Sequence, residues 1–210
     1  MSLAERAAAA RKATQMAHGQ APTNPNAPPP LTPEQRGSVR GNQYINDFLH
    51  FRIDLGHEWE PLGAERVAAS AEAARKYFDA GNGGSSFRVL WIGDSSGRTI
   101  VMSIVALPPD LPTDIDELAA GFKKIARAQL ARTNNLQDAS EPMLLGSPNH
   151  KFSAFRLSGN VQDKQIVQSV QLTRSNGFLL LFTVTGRSDE EVTQAVRFLN
   201  SSLAWSGAPQ

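Results

Sequence analysis

The stretch QIVQSVQLTRSNGFLLLFTV, residues 165–184, decides the fold because it places a turn signal between two strand patterns. Its first half alternates apolar and polar side chains, which predicts a strand covered more heavily on its apolar face. The apolar positions are Ile166, Val170 and Leu172, and the polar ones are Gln165, Ser169, Gln171 and Thr173. Asn176-Gly177 then supplies the two residues that tolerate positive φ in a type I′ hairpin turn.

Residues 178–184 are apolar on both faces, so we expect them at the centre of a sheet that is covered on both sides. Ser188 and Glu191 follow at the spacing of a capping box and predict the start of a helix. The stripe of this helix that faces the sheet is expected to contain Val192, Ala195, Val196, Leu199 and Leu203.

Composition excludes several classes of protein. The chain has 210 residues, a formal net charge of +1 and 20% charged residues, so no strong field directs it to nucleic acid or anionic lipid. It has no cysteine, which excludes thiolate catalysis, cysteine-based zinc sites and disulfides. No apolar run approaches the roughly 20 residues that span a bilayer as a helix.

The N-terminal part differs in composition from the rest of the chain. Residues 1–18 favour a marginal alanine-rich helix, and residues 19–41 contain enough proline to predict an extended linker without helix or sheet. Met1-Ser2-Leu3 has the form of an expression leader that replaces a native segment. We therefore expect one domain at residues 42–206, followed by a short tail at residues 207–210.

The domain is expected to alternate short strands with three helices. Strands are predicted at residues 44–46, 49–55, 87–92, 99–107, 143–145 and 152–157, ahead of the hairpin at residues 165–184. Helices are predicted at residues 64–78 and after Thr113, with Asp116 completing a capping box. The buried stripe of the second helix is expected at Leu118, Phe122, Ile125 and Gln129. Short turns join antiparallel strands, so the fold class is α+β, a mainly antiparallel sheet between helices.

The start of this domain resembles the PsbP-like superfamily. Tyr44-Ile45-Asn46, the strand LHFRIDL at residues 49–55 and then Trp59 are similar to the Tyr-x-Asn, Phe-x-Phe-x-Ile-x-Pro and Gly-Trp pattern of that superfamily. Its members include photosystem extrinsic proteins, Ran-binding Mog proteins and bacterial periplasmic lipoproteins of the DcrB type. Leu55-Gly56-His57-Glu58 departs from the usual Pro-x-Gly before the tryptophan.

This resemblance implies an α/β/α sandwich over about residues 42–205 and a binding or accessory role without catalysis. It supplies no catalytic motif, and because the members bind unrelated partners, the fold does not determine the function. We assign no catalytic, cofactor-binding or metal-ligating residue and expect no cofactor.

Gly93-Asp94-Ser95-Ser96-Gly97 is the strongest candidate for a nucleophile, because Gly-Asp-Ser strings surround catalytic serines in several hydrolase families. Acyl transfer also requires a base within hydrogen-bond distance of the serine. The string lies between two predicted strands, where Asp, Ser and Gly are typical of a hairpin loop. We favour the turn interpretation over a hydrolase that uses Ser95 or Ser96.

Three further groups of residues and one short triplet also have possible functional interpretations. One group has the chemistry of metal ligands and contains His50, Asp54, His57 and Glu58, with His150 as a possible further ligand. A solvated strand face and a polar loop also explain these residues, and we favour that interpretation. His18 carries no signal.

A second group could bind phosphate through the basic residues Lys123, Lys124, Arg127 and Arg132. The same helix begins with Asp114, Asp116 and Glu117, and acids at the start of a helix with bases towards its end are also what the helix dipole favours. We favour a solvated helix face.

The third group, Trp59, Trp91 and Trp205, could line an aromatic pocket, but packing in the core explains these residues. The triplet Asn200-Ser201-Ser202 matches a glycosylation acceptor, but it lies late in a predicted helix.

The sequence therefore predicts a non-catalytic binding or accessory protein of bacterial type. We expect its partner to be another protein and not nucleic acid, and its location to be periplasmic or secreted, with the native signal missing from this sequence. One alternative is a carrier of a small molecule or lipid with an apolar pocket between sheet and helices. A more distant alternative is a serine hydrolase.

Overall fold

The computed structural model describes residues 31–62, 85–106, 113–130, 137–147, 150–161 and 164–206. The described helices are α1 (Pro33–Arg36), α2 (Ile115–Leu130) and α3 (Asp189–Ser202). The described strands are β1 (Ser38–Arg40), β2 (Gln43–Asn46), β3 (Phe51–Asp54), β4 (Glu60–Pro61), β5 (Ser85–Gly93), β6 (Thr99–Ala106), β7 (Gln137–Asp138), β8 (Ser153–Val161), β9 (Lys164–Ser175), β10 (Phe178–Gly186) and β11 (Leu203–Trp205). The helix expected at residues 64–78 and the segments 1–18 and 207–210 lie outside the described residues.

The described strands form two sheets, and their pairings are all antiparallel. The larger sheet has the order β4-β5-β6-β10-β9-β8-β7, so β10 is the fourth of its seven strands. Leu180 and Phe182 of β10 are 0% exposed, which confirms the prediction of a central buried strand. Asn176 and Gly177 have φ angles of 47° and 77°, as the predicted turn requires.

Each face of the larger sheet is covered by a different layer. On one face, Leu179 and Leu181 of β10 pack with Ile115 and Leu118 of α2. On the opposite face, the even-numbered residues of β10 pack against α3 and against a smaller sheet of order β1-β2-β3-β11. The predicted α+β class is confirmed. The second sheet was not predicted, because β11 pairs with β3 across most of the chain.

The two residues that begin the PsbP-like pattern hold α1 against β2. The Tyr44 hydroxyl donates to the carbonyl of Arg36 at 2.5 Å, and Asn46 Nδ2 donates to the carbonyl of Gln35 at 3.0 Å. Burial raises the pKa of the Tyr44 hydroxyl above its usual value, so it remains a donor. Tyr44 and Asn46 are therefore structural.

The linker expected at residues 19–41 does not extend to its predicted end. Thr32 and Gln35 form a capping box at the start of α1, and Pro33 occupies a first-turn position that needs no N–H donor. Leu31 is only 4% exposed and belongs to the core. Residues 38–40 then form β1, so the packed part of the chain begins before residue 42.

Helix α2 begins one residue later than expected. Asp114, and not Thr113, caps it: Oδ1 accepts from the N–H groups of Asp116 at 2.8 Å and Glu117 at 3.1 Å. Leu118 is buried as predicted, Phe122 and Ile125 are half-buried, and the side chain of Gln129 is not described.

The capping box predicted for α3 forms only in part. Ser188 Oγ accepts from the N–H of Glu191 at 3.2 Å, but the Glu191 carboxylate reaches back to the N–H of Arg187 at 2.7 Å. The four buried residues of α3 are the predicted Val192, Ala195, Val196 and Leu199. Leu203 is not on the helix, because it pairs with Ile53 as the first residue of β11.

Candidate functional site

Residues 139–147 form neither helix nor strand and cover part of the larger sheet; we call this segment the strap. A strand was expected at residues 143–145, but this segment forms no ladder, because side chains bind its backbone. Gln171 Oε1 accepts from the N–H of Leu145 at 3.2 Å, and Gln171 Nε2 donates to the carbonyl of Met143 at 3.1 Å. From α3, Asn200 Oδ1 accepts from the N–H of Gly146 at 2.6 Å.

The strap buries part of the β9 face that was expected to be the less covered one, while Leu172 on the other face is buried as predicted. Ser169, Gln171 and Thr173, expected on the less covered face, are all 0% exposed, whereas Ile166 and Val170 are half-buried. Their polar groups find partners under the strap and its continuation: Gln171 Nε2 also donates to Ser169 Oγ, and Thr173 Oγ1 donates to the carbonyl of Lys151. Polar residues can be buried when their hydrogen bonds are made. The polar face of β9 is thus an anchoring surface for the strap.

A cavity of about 520 Å³ lies between the strap and α3, and we call it the strap–helix groove. Its lining is polar and charged, with Met143 the exception. The lining residues are Ser140, Glu141 and Met143 of the strap, Arg156 of β8, and Asp189, Glu190, Thr193, Gln194 and Arg197 of α3. The α3 residues recur every three to four positions, so they occupy one face of the helix.

Arg156 is the buried charge in this groove. Its side chain is only 3% exposed, and Nη1 contacts Asp189 Oδ1 at 3.0 Å. Ser140 Oγ donates to the same carboxylate oxygen at 3.1 Å, which ties the beginning of the strap to the start of α3. A buried guanidinium without a partner would lower the stability of the fold by roughly several kcal/mol. Asp189 is therefore needed to keep Arg156 in place.

The acids at the start of α3 have a structural role as well. Asp189, Glu190 and Glu191 lie in its first turn, where carboxylates interact favourably with the helix dipole. Gln194 is fixed from two sides, because Arg98 Nη1 donates to its Oε1 at 3.1 Å and its Nε2 donates to Glu190 at 3.3 Å. Glu141 and Arg197 are exposed and make no ion pair with any residue that the structure describes.

Sequence reasoning placed Arg156 in a strand but did not single it out. The feature that could have identified it is a charged residue within the largely apolar segment FSAFRL, on the same strand face as the buried Phe152. Its partner Asp189 lies 33 residues away, and no local pattern links the two.

The serine-containing string is a hairpin turn between β5 and β6. Asp94 Oδ1 accepts from Ser96 Oγ at 2.8 Å and from the N–H groups of Ser96 and Arg98, and Arg98 also pairs with Oδ2. Burial alone would raise the pKa of Asp94, but hydrogen bonds from Ser96 and Arg98 lower it overall. No described histidine bonds to Ser95 or Ser96. The turn interpretation accounts for the string, since the carboxylate that Ser96 Oγ contacts is that of Asp94, which accepts the hydrogen bonds that close the turn.

The histidines and carboxylates considered as metal ligands are not brought together. His50 was expected in a strand but lies in the turn before β3 with φ 56°, and Asp54 accepts from the N–H of Gly56. His150 instead stacks on Trp205. Within the described ranges, no three His, Asp or Glu side chains form a group that could hold a metal ion.

The candidate basic patch on α2 is largely paired with acids. Lys123 and Arg127 both contact the carboxylate of Asp138, at 3.0 and 2.5 Å. Lys124 is exposed, and Arg132 lies outside the described residues. The solvated-face interpretation is therefore favoured over a phosphate site.

The three tryptophans do not form one pocket. Trp59 is buried and stacks on Phe198, with ring centroids 5.0 Å apart, while the Arg88 guanidinium lies 5.2 Å from the centroid of Trp91. Trp205 lies against Phe51 and His150. Core packing explains these residues.

The glycosylation-like triplet begins at Asn200, whose side-chain oxygen accepts a hydrogen bond from the N–H of Gly146 in the strap. Strap anchoring explains this residue.

No family model matches the sequence, and no curated protein matches it. The structure is similar to that of the cyanobacterial PsbP (CyanoP) from Synechocystis sp. PCC 6803, with a TM-score of 0.52 and 13% identity over 80% of this chain and 98% of that chain. A second match is LpqN, involved in cell envelope biogenesis of Mycobacterium tuberculosis, with a TM-score of 0.44 and 17% identity over 75% of this chain and 83% of that chain.

The protein therefore has the PsbP-like fold that the opening motif predicted. At 13% identity the likeness extends to the fold alone. None of the helices that the structure describes is long and apolar enough to cross a membrane.

Proposed function

We propose that the protein is a non-catalytic binding protein that engages another protein through the strap–helix groove. The observation that supports this is the groove itself: a polar cavity of about 520 Å³ whose walls are fixed by hydrogen bonds to β9 and α3. Its polar lining matches a peptide-like or protein partner better than the apolar pocket of a lipid carrier. Ser96 Oγ donates to the Asp94 carboxylate within its own turn, and no described histidine bonds to either serine, so the hydrolase alternative has no histidine base to support it.

The proposed location is outside the cytoplasm. The proline-rich composition of residues 19–30, ahead of the packed part of the chain, supports it, since such a composition favours a spacer that holds a domain away from an attachment point. Fractionation of the native organism, followed by immunodetection of the protein, tests the location. Recovery in the cytoplasmic fraction alone would refute it.

Affinity capture with charge-reversed groove variants tests the proposed function. The full chain is immobilised as wild type, Arg197→Glu and Glu141→Lys, with Lys124→Glu as the matched control on α2. Residues 124, 141 and 197 are all exposed, so folding should be retained in each variant. We expect a protein from the native organism that wild type and Lys124→Glu retain and that at least one groove variant loses about tenfold. Equal capture by all four chains, or no capture by any, would refute the proposal.

A further inference from the structure

The guanidinium of Arg156 has more donors than partners. Arginine carries five N–H groups in a rigid plane. Nη1 contacts Asp189 at 3.0 Å and, more weakly, Ser140 at 3.5 Å and Thr193 at 3.4 Å. Nη2 has only the Thr193 hydroxyl at 3.4 Å, and Nε is buried with no partner among the residues that the structure describes. Asp189 thus provides the single short contact.

The unused donors lie on one edge of the guanidinium. The Nε hydrogen and one Nη2 hydrogen point the same way, and this edge is the one that binds a carboxylate through two parallel hydrogen bonds. Asp189 contacts only Nη1, so this edge has no carboxylate partner among the described residues. A buried donor without a partner is destabilising, so an acceptor here would relieve an existing penalty.

The other charges of the groove define the rest of the ligand. Its lining contains two guanidiniums and three carboxylates, a formal charge of −1. Such a site disfavours a multiply charged anion such as phosphate and favours a ligand that also carries a cation. Glu141 is exposed without a described ion-pair partner, and it is the natural partner for a basic group.

The length of the groove matches a short peptide segment. Along α3 its lining runs from Asp189 to Arg197, eight residues apart, or about 12 Å at ~1.5 Å per residue. An extended chain at ~3.3 Å per residue covers that length with about four residues. A carboxylate and a basic side chain two residues apart lie on the same side of such a segment.

We propose that the strap–helix groove binds an extended peptide whose carboxylate takes the Nε–Nη2 edge of Arg156 and whose basic side chain pairs with Glu141. The carboxylate comes from an acidic side chain or from a chain end. Because Nε is buried, the side chains around it must move as the carboxylate enters. This inference rests on the proposed function and names the ligand class for the same groove.

NMR of the ¹⁵N-labelled full chain tests the proposal, since a buried arginine Nε–H gives its own resonance. Acetyl-Ala-Glu-Ala-Lys-Ala-amide supplies a side-chain carboxylate. Acetyl-Ala-Ala-Lys-Ala-Ala with a free C-terminus supplies a terminal one. We expect one of them to shift the Arg156 Nε–H resonance saturably, and the one that does identifies the source. Acetyl-Ala-Gln-Ala-Gln-Ala-amide should leave the resonance unshifted.

Variants separate the edge contact from general charge. Arg156→Lys keeps the positive charge but has no two-donor edge, so backbone shifts along the groove should require at least tenfold more peptide. Glu141→Gln should weaken binding about fivefold, and Lys124→Gln should bind as wild type. Thermal unfolding shows whether Arg156→Lys is folded; if it is not, the exposed Glu141→Gln variant and the Nε–H shift decide the test.

Failure of this inference is distinguishable from failure of the proposed function. Absence of a saturable shift up to about 10 mM peptide, or an equal shift with the neutral peptide, would overturn the carboxylate site. Groove-dependent capture of a partner would still support the binding role. Saturable peptide binding without any groove-dependent partner would support the site and refute the proposed function.

Discussion

Gln171 on β9 holds Leu145 of the strap through its side-chain amide, with 3.2 Å between Oε1 and the backbone nitrogen. The same amide donates to the carbonyl of Met143, so one side chain replaces two bonds of a missing strand. The position of the strap, and with it one wall of the groove, depends on this residue.

Gln171→Met keeps the volume of the side chain but removes both hydrogen bonds to the strap and the one to Ser169. The Leu145 N–H and Met143 carbonyl would lose their partners, and we expect a loss of about 2–4 kcal/mol in the free energy of unfolding. Urea denaturation measures it. The matched control is Gln165→Met on the same strand face, where the side chain is exposed and the change should stay within about 0.5 kcal/mol. Equal midpoints for the two variants would contradict the anchoring role.

Leu180→Ala tests the central position of β10. Leu180 is 0% exposed, and its truncation should cost about 2–5 kcal/mol through lost burial and a residual cavity. Leu144→Ala is the control, since Leu144 is 47% exposed on the strap and should cost about 0.5 kcal/mol or less. Calorimetric melting temperatures compare the two. A loss for Leu180→Ala no larger than that of the control would place the strand at a sheet margin.

Local signals were sufficient for the elements whose partners are near in sequence. Asn176-Gly177 determined the β9–β10 hairpin, and Ser188 determined the start of α3, because turns and caps are decided within four residues. The apolar run around Leu180 identified the centre of the sheet for a similar reason, since burial on both faces is visible in composition.

The groove could not be predicted in this way, because its contacts join distant segments. Gln171 resembles a solvent-facing strand residue until the strap, 26 residues earlier, covers it. The pairing of Arg156 with Asp189 spans 33 residues, and the acid alone resembles ordinary helix-dipole complementarity. Alternation assigns two faces to a strand, but the segment that covers each face is decided by tertiary structure.

Asp94→Asn should destabilise the protein at neutral pH by about 1.5–3 kcal/mol, because charged hydrogen bonds to Ser96 and Arg98 are weakened. The pKa of Asp94 is lowered in the folded state. Its stabilisation is therefore present above the unfolded pKa of about 3.9 and is lost as pH falls through the lower folded value.

Urea unfolding between pH 7 and pH 2.5 measures this contribution. Wild type should lose more stability over that range than Asp94→Asn. Asp47→Asn is the control, since Asp47 is exposed and makes no ion pair with a described residue. If Asp94→Asn loses as much unfolding free energy between pH 7 and pH 2.5 as wild type does, the turn carboxylate does not contribute.

The contact between His150 and Trp205 should make the stability of the protein sensitive to mild acid. Their rings stack with centroids 3.6 Å apart and an interplanar angle of 14°, and burial lowers the pKa of the imidazole. The unfolded chain therefore binds the proton first, so stability is lost as pH falls below about 6.5 and the loss is complete below the folded pKa.

Tryptophan fluorescence of the native protein, recorded from pH 8 to pH 5, should change with a midpoint below about 6.5, since an imidazolium in contact with the indole alters its emission. His150→Gln should abolish that transition and flatten the loss of melting temperature between pH 7.5 and pH 5. His57→Gln is the control, because His57 is exposed and should leave both curves as in wild type. A fluorescence midpoint at or above 6.5, or a transition that survives His150→Gln, would contradict the assignment of this acid response to the His150–Trp205 stack.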